Sequence, residues 1–225
     1  MTTRIYLARH GATELSAEDR FAGAVDVLLS DAGRDQARKL GDRLAREELA
    51  AVYASPMKRT IETAQLASAP QNCKVDTVDG LREIAHGRWE GMLRAEVEEK
   101  FPKEYARYES DPFSFAPLGG ETGLQVIARA LPALLELVEK HADQRILIVS
   151  HKATIRLLLS SLLGFDARKY RDRLDQSPAA LNILDFKTAA NARLTLFNDT
   201  SHYTGDIPAM PGARLSKAWD DGQRT

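Results

Sequence analysis

Short unbroken apolar runs alternate along the chain with longer segments in which apolar residues recur every three or four positions. RIYLA at 4–8, LAAVYAS at 49–55 and QRILIVSH at 144–151 read as strands, and CKVDTVDG at 73–80 alternates as a shorter one. The unbroken 144–151 run is the kind buried on both faces in the middle of a parallel sheet. Ser30 is a natural N-cap for DAGRDQARKLGDRLAREE, in which Ala37, Leu40, Leu44 and Ala45 share one face. A second helix follows the turn at Ser55-Pro56, with the proline suited to the first helical turn. ATIRLLLSSLLG forms another helix, stopped at Gly164. AALNILDFK and ARLTLFND pair as a hairpin that extends the sheet. Strands feeding helices in this order predict an α/β fold: a mostly parallel sheet with helices on both faces.

The alternation breaks at about 88–125. EGMLRAEVEEKFPKEYARYESDP reads as helical, amphipathic and charged, and FSFAPLGGE as a Pro/Gly-marked loop. Together they predict a helical insertion lying over a site within a single domain at 1–205. The helix opening at Glu121 runs to about His141, and Pro132 inside it predicts a kink. The turn-rich, polar segment 206–225 is expected to be a loosely ordered tail.

Composition narrows the function. The chain has 225 residues, 44% hydrophobic and 28% charged, with a net charge of -1, which suits a globular protein with a sizeable core. That balance gives no reason to expect nucleic acid or an anionic membrane as partner. The single cysteine, Cys73, excludes an internal disulfide and reads as a passive thiol entering a strand. With no signal-peptide pattern and no long apolar run, the expected setting is the cytoplasm.

Chemistry concentrates at strand ends. The first strand delivers Arg9, His10 and Gly11, and the 144–151 strand delivers His151. In open α/β sheets, ligands bind at the carboxyl ends of strands near a topological switch point. Arg59 follows a third strand and Glu83 a fourth. Arginines bind phosphoryl oxygens bidentately, and a neutral imidazole is a nucleophile. A protonated second imidazole can stabilise equatorial oxygens, and a carboxylic acid can protonate a leaving alkoxide.

LARHGATE, SPMKRTIETA, LREIAHGRWEG, GGETG and VSHKATIRLLL occur in the order found in the histidine phosphatase superfamily. The chain resembles its phosphoglycerate-mutase-like branch over about residues 4–203, down to the late LTLFNDTSHY. The resemblance implies that His10 accepts the phosphoryl group and that Arg9, Arg59 and His151 form the phosphate pocket. Glu83 would be proton donor and then the base that activates water. Neither a metal nor a cofactor is implied. The expected partner is a small phosphorylated metabolite, with a second copy of the chain as a further candidate.

Three positions depart from the family pattern. Ser16 stands where an asparagine usually reaches the phosphate, and a shorter hydrogen bond from it remains available. Lys152 replaces the usual glycine after the second histidine; it is expected at the pocket rim, where a flexible ammonium would meet a second anionic group in a modest, solvent-screened contact. His86 replaces a common aromatic. Lys152, Ala22 and Gly23 are the candidate substrate-binding residues. His86, His141 and His202 read as structural, Arg82 and Arg88 as surface residues, Arg156 as packing beside the site and Trp89 as a packing anchor for the insertion. HGRWEG and the short insertion favour a phosphomonoesterase. The alternatives are a phosphoglycerate mutase, a fructose-2,6-bisphosphatase or a non-catalytic phosphate-binding protein.

Overall fold

A computed structural model describes residues 2–17 and 20–205, without the side chains of Ser16 and Ala17. Six strands form one sheet: β1 (Thr3–Arg9), β2 (Ala51–Ala54), β3 (Val75–Thr77), β4 (Arg145–Ser150), β5 (Leu181–Thr188) and β6 (Asn191–Asp199). Their order is β3-β2-β4-β1-β5-β6. The first four run parallel, and β5 and β6 extend the sheet antiparallel as the expected hairpin.

The period-two alternation of β1 and β4 divides the core. Ile5, Leu7, Ile146 and Ile148 face one way, against α5 (Gly123–Lys140) and α6 (Lys152–Leu163). Tyr6, Ala8, Leu147 and Val149 face the other, against α1 (Asp31–Leu44) and α2 (Lys58–Ser68). Strands buried on both faces read as continuous apolar runs for this reason. The helix after β1 thus covers one face and the helix after β4 covers the other. A crevice opens between the two strand ends.

Caps behave as the sequence suggests. The Ser30 side chain accepts a hydrogen bond from Gly33 N–H, and Gly164 ends α6 at φ 71°. One expectation changes. Pro56 precedes α2 rather than entering it, because Met57 is the N-cap. The insertion is two helices, α3 (Arg94–Lys100) and α4 (Pro102–Ser110). The pyrrolidine of Pro102 disfavours helical geometry at the residue before it, and Phe101 sits at φ −133°, ψ 52°. Trp89, Phe21, Tyr105 and Tyr108 cluster under these helices, apart from the sheet, so Trp89 anchors the insertion as expected. Two short helices, α7 (Tyr170–Arg173) and α8 (Ser201–Thr204), complete the described residues. The segment 206–225, read as a tail, lies outside them.

Two glycines set the position of the loop that leaves β1. A Cβ on Gly33 would stand 2.0 Å from the Ala12 carbonyl oxygen, and one on Gly11 would stand 2.4 Å from the Gly33 carbonyl oxygen. The loop therefore packs backbone to backbone on the first turn of α1. Gly33→Ala should lower stability by about 1–3 kcal/mol through overpacking, read as a shifted denaturation midpoint. Because Ala12 is two residues from His10, turnover should fall as well. An unchanged midpoint would contradict this account.

Candidate active site

β1 and β4 are hydrogen-bonded neighbours, with Arg9 paired to Ser150. The two histidines that follow therefore emerge side by side, ring centroids 5.2 Å apart. The His10 backbone N–H continues the ladder to the Ser150 carbonyl at 3.0 Å. Its Nδ1 lies 2.8 Å from the Gly11 carbonyl oxygen, which can only accept, so Nδ1 carries the proton. Nε2 is then the ring's lone-pair nitrogen. Burial, followed by Arg9 and Arg59, holds the His10 pKa well below the usual imidazole value. The ring is neutral at neutral pH, with its lone pair on Nε2.

Arg59 lies in the first turn of α2 and is 2% exposed. Its Nη1 and Nη2 donate to the carbonyls of Val25 (2.7 Å) and Gly23 (2.8 Å), and its Nε donates to His151 Nδ1 at 3.2 Å. His151 Nε2–H in turn donates to Ser55 Oγ at 2.8 Å. The expected protonated second imidazole is therefore not the resting arrangement. Both ring nitrogens are occupied, and burial and the field of Arg59 lower the His151 pKa. In the resting pocket His151 is a neutral support that orients Arg59.

Arg9 reaches across to the segment before β5, donating from Nη1 to the Gln176 carbonyl at 2.7 Å. Its Nε is buried without an acceptor, and burial lowers its pKa to about 10. A guanidinium short of one acceptor suits an anionic ligand.

Glu83 arrives from the loop after β3 and sits on the N-terminus of α6. Its Oε1 accepts from Ile84 N, Thr154 N and Thr154 Oγ1, whereas Oε2 accepts from Ala153 N alone. Oε2 is the less engaged of the two oxygens. Arg129 on α5 holds the same loop by donating to the carbonyls of Gly80, Arg82 and Glu83. Glu121 pairs with Arg129 and accepts from Ala85 N. The GGETG motif thus acts as a brace for the Glu83 loop.

His10, Arg9, Arg59 and Glu83 open onto one pocket of about 220 Å³. Arg20, Arg94, Lys152, Arg156 and Arg171 also line it, so Glu83 is the one carboxylate among its described walls against seven Lys and Arg side chains. Such a pocket attracts anions. Among the described residues, no group of three or more His, Cys, Asp or Glu side chains is arranged to hold a metal ion. No described helix is long and apolar enough to cross a membrane.

A model of the histidine phosphatase superfamily (branch 1) matches residues 5–200. The chain belongs to this superfamily. Phosphoserine phosphatase 1 of Hydrogenobacter thermophilus is 36% identical over 167 residues, covering 74% of this chain and 79% of that protein. Glucosyl-3-phosphoglycerate phosphatase of Mycolicibacterium vanbaalenii is 33% identical, with 72% and 74% covered. The solved structure of YhfR from Bacillus stearothermophilus superposes with a TM-score of 0.84 at 30% identity, covering 89% of this chain and 98% of that one.

Among histidine phosphatases the motif residues are expected together, and the fold brings His10, Arg9, Arg59, Glu83 and His151 to one sheet edge. Ala22 and Gly23 line the pocket, and Gly23 also holds Arg59 through its carbonyl. The Ser16 side chain lies outside the described residues. Lys152 is not a solvated rim residue: its side chain is 25% exposed and pairs with Asp175. His86 lines the pocket, edge-on to Phe21, with a pKa lowered to about 3 mainly by burial. Arg156, read from sequence as packing, also lines it. The sequence reading missed Ser55, Thr154, Asp175, Arg94 and Arg171. For Arg156 a signal existed, since Lys152 and Arg156 are four apart on one helix face. His141 is structural as expected, bonded to the Tyr53 hydroxyl and Gln144.

Proposed function

We propose that the chain is a phosphomonoesterase that hydrolyses a small phosphorylated metabolite through a phosphohistidine on His10. The observation that carries this reading is the bare Nε2 of His10, fixed by the Nδ1 bond to Gly11, in a pocket walled by Arg9, Arg59 and Glu83. A phosphate between the two arginines presents its phosphorus to Nε2. As the P–O bond breaks, Glu83 Oε2–H supplies the proton that the leaving alkoxide needs. Arg9 and Arg59 offset the charge on the phosphoryl oxygens throughout the transfer. The resulting Glu83 carboxylate then takes a proton from a water that attacks the phosphohistidine, which restores His10 and releases inorganic phosphate. The names of the phosphoserine and glucosyl-3-phosphoglycerate relatives support hydrolysis over transfer back to substrate.

The test is a release assay for inorganic phosphate over a panel of phosphorylated metabolites, run beside an assay for phosphoryl transfer between positions of phosphoglycerate. Hydrolysis of at least one phosphomonoester well above the mutase rate is expected. Mutase turnover exceeding hydrolysis would overturn the reading.

The cationic walls imply that the side chains neutralise the phosphate themselves. Activity should survive prolonged EDTA treatment, and vanadate should inhibit as a five-coordinate phosphorus mimic. Loss of turnover on chelation, restored by added magnesium, would refute this expectation.

A further inference from the structure

The walls hold more positive charge than one phosphate requires. Lys152 and Arg156 lie one turn apart on α6, and both line the pocket beyond the phosphate-binding pair. They share a single counter-ion: Asp175 Oδ1 is 3.5 Å from Lys152 Nζ and 2.9 Å from Arg156 Nη2. The same oxygen accepts from the Gln176 N–H at 2.8 Å. One carboxylate oxygen serving two cations and a backbone donor leaves a surplus positive charge in the wall.

Two donors also lack acceptors. The Nε atoms of Arg156 and Arg9 are both buried with no hydrogen-bond partner, and Arg156 is only 4% exposed. Buried guanidinium N–H groups are costly to leave unpaired, so both side chains gain if an anion in the pocket draws them into a fuller set of bonds. Lys152 points the same way. Burial first, then Arg156 and Arg9, pull its pKa down to about 7 against the opposing pull of Asp175. A second anion would relieve that cost.

We infer that the substrate is a small phosphomonoester bearing a second oxyanion, received by Arg156 and Lys152 while Arg9 and Arg59 hold the transferred phosphate. The inference rests on the phosphatase reading and names its substrate class. Lys152 directly follows His151 and begins α6, so the second group stands only a few bonds from the ester phosphorus. A carboxylate or a second phosphate meets the same chemical requirement. Asp175 is a positioning residue here: it holds both cations at the wall and, through Gln176, lies beside the carbonyl that holds Arg9.

The test uses matched pairs. 3-Phosphoglycerate and glycerol 3-phosphate differ by a carboxylate, and propane-1,3-diol bisphosphate and its monophosphate differ by a phosphate. The wild-type protein should prefer the doubly anionic member of at least one pair by about 10–100-fold in kcat/KM, as for a charge-assisted bond out of bulk water. The preferred pair identifies the oxyanion; for any compound not turned over, its inhibition constant against para-nitrophenyl phosphate replaces kcat/KM. Lys152→Met should bring that ratio towards one, and Lys152→Arg should largely restore it. The preference should also decline above about pH 7 as Lys152, facing Arg156, Arg9 and Asp175, loses its proton. In Lys152→Arg that decline should vanish, because a guanidinium stays charged. No preference in either pair, or an equal loss on both members in Lys152→Met, would overturn the inference. Absence of phosphoryl label on His10 would instead strike the phosphatase reading, so the two failures are distinguishable.

Discussion

His10→Ala should reduce turnover by roughly ten-thousand-fold or more, the scale on which loss of a covalent nucleophile acts. No other imidazole in the pocket replaces it. His151 has both nitrogens committed, to Arg59 and Ser55, and His86 stands edge-on against Phe21. Rapid quench of the wild-type protein with labelled substrate should trap a phosphoenzyme stable to base and labile to acid, as phosphorus on nitrogen requires. His10→Ala should trap none. The pH profile follows from the lowered pKa. Because burial, Arg9 and Arg59 hold His10 well below 6.5, the neutral ring persists as pH falls through that value. After correction for the substrate's own ionisation, kcat/KM should therefore show no acid limb near 6.5. Label on a serine or aspartate would end this mechanism, and an enzyme-derived limb at 6.5 would contradict the site electrostatics.

Glu83→Gln should be the second largest effect, about a hundred- to ten-thousand-fold, the usual range for removing a general acid–base group. An amide can neither donate a carboxylic proton nor take one from water. It also meets the α6 N-terminus badly: both oxygens of Glu83 accept from backbone N–H groups, and an amide NH₂ in either place faces a donor. Alkyl phosphates, whose leaving alkoxides need the proton, should lose most. Para-nitrophenyl phosphate, with a good leaving group, should lose least in the phosphorylation step. An equal loss on both substrates with an unchanged melting temperature would argue against Glu83 as the acid.

Much of this site was legible in the sequence because its determinants are local. Apolar runs marked β1 and β4, and a strand delivers the residue that follows it to the sheet edge whatever else the chain does. Ser30 and Gly164 announced helix ends through side-chain and backbone preferences that act over a few residues. The helical character of the insertion was equally local, and the break between α3 and α4 comes from what Pro102 does to Phe101.

Long-range effects decided the remainder. Sequence placed Lys152 beside His151 but could not place Asp175 next to it or show that the lysine side chain would be only 25% exposed. Whether His151 is a free cation depended on Arg59 and Ser55, 92 and 96 positions away. The acceptor for Arg9 lies 167 positions along the chain. Residue types and their order determined the fold class and the five motif residues, since strand periodicity, capping and strand-end placement act between near neighbours. Protonation states, shared counter-ions and unpaired donors were settled by the tertiary structure alone, because desolvation and Coulomb interactions depend on distances in space rather than along the chain.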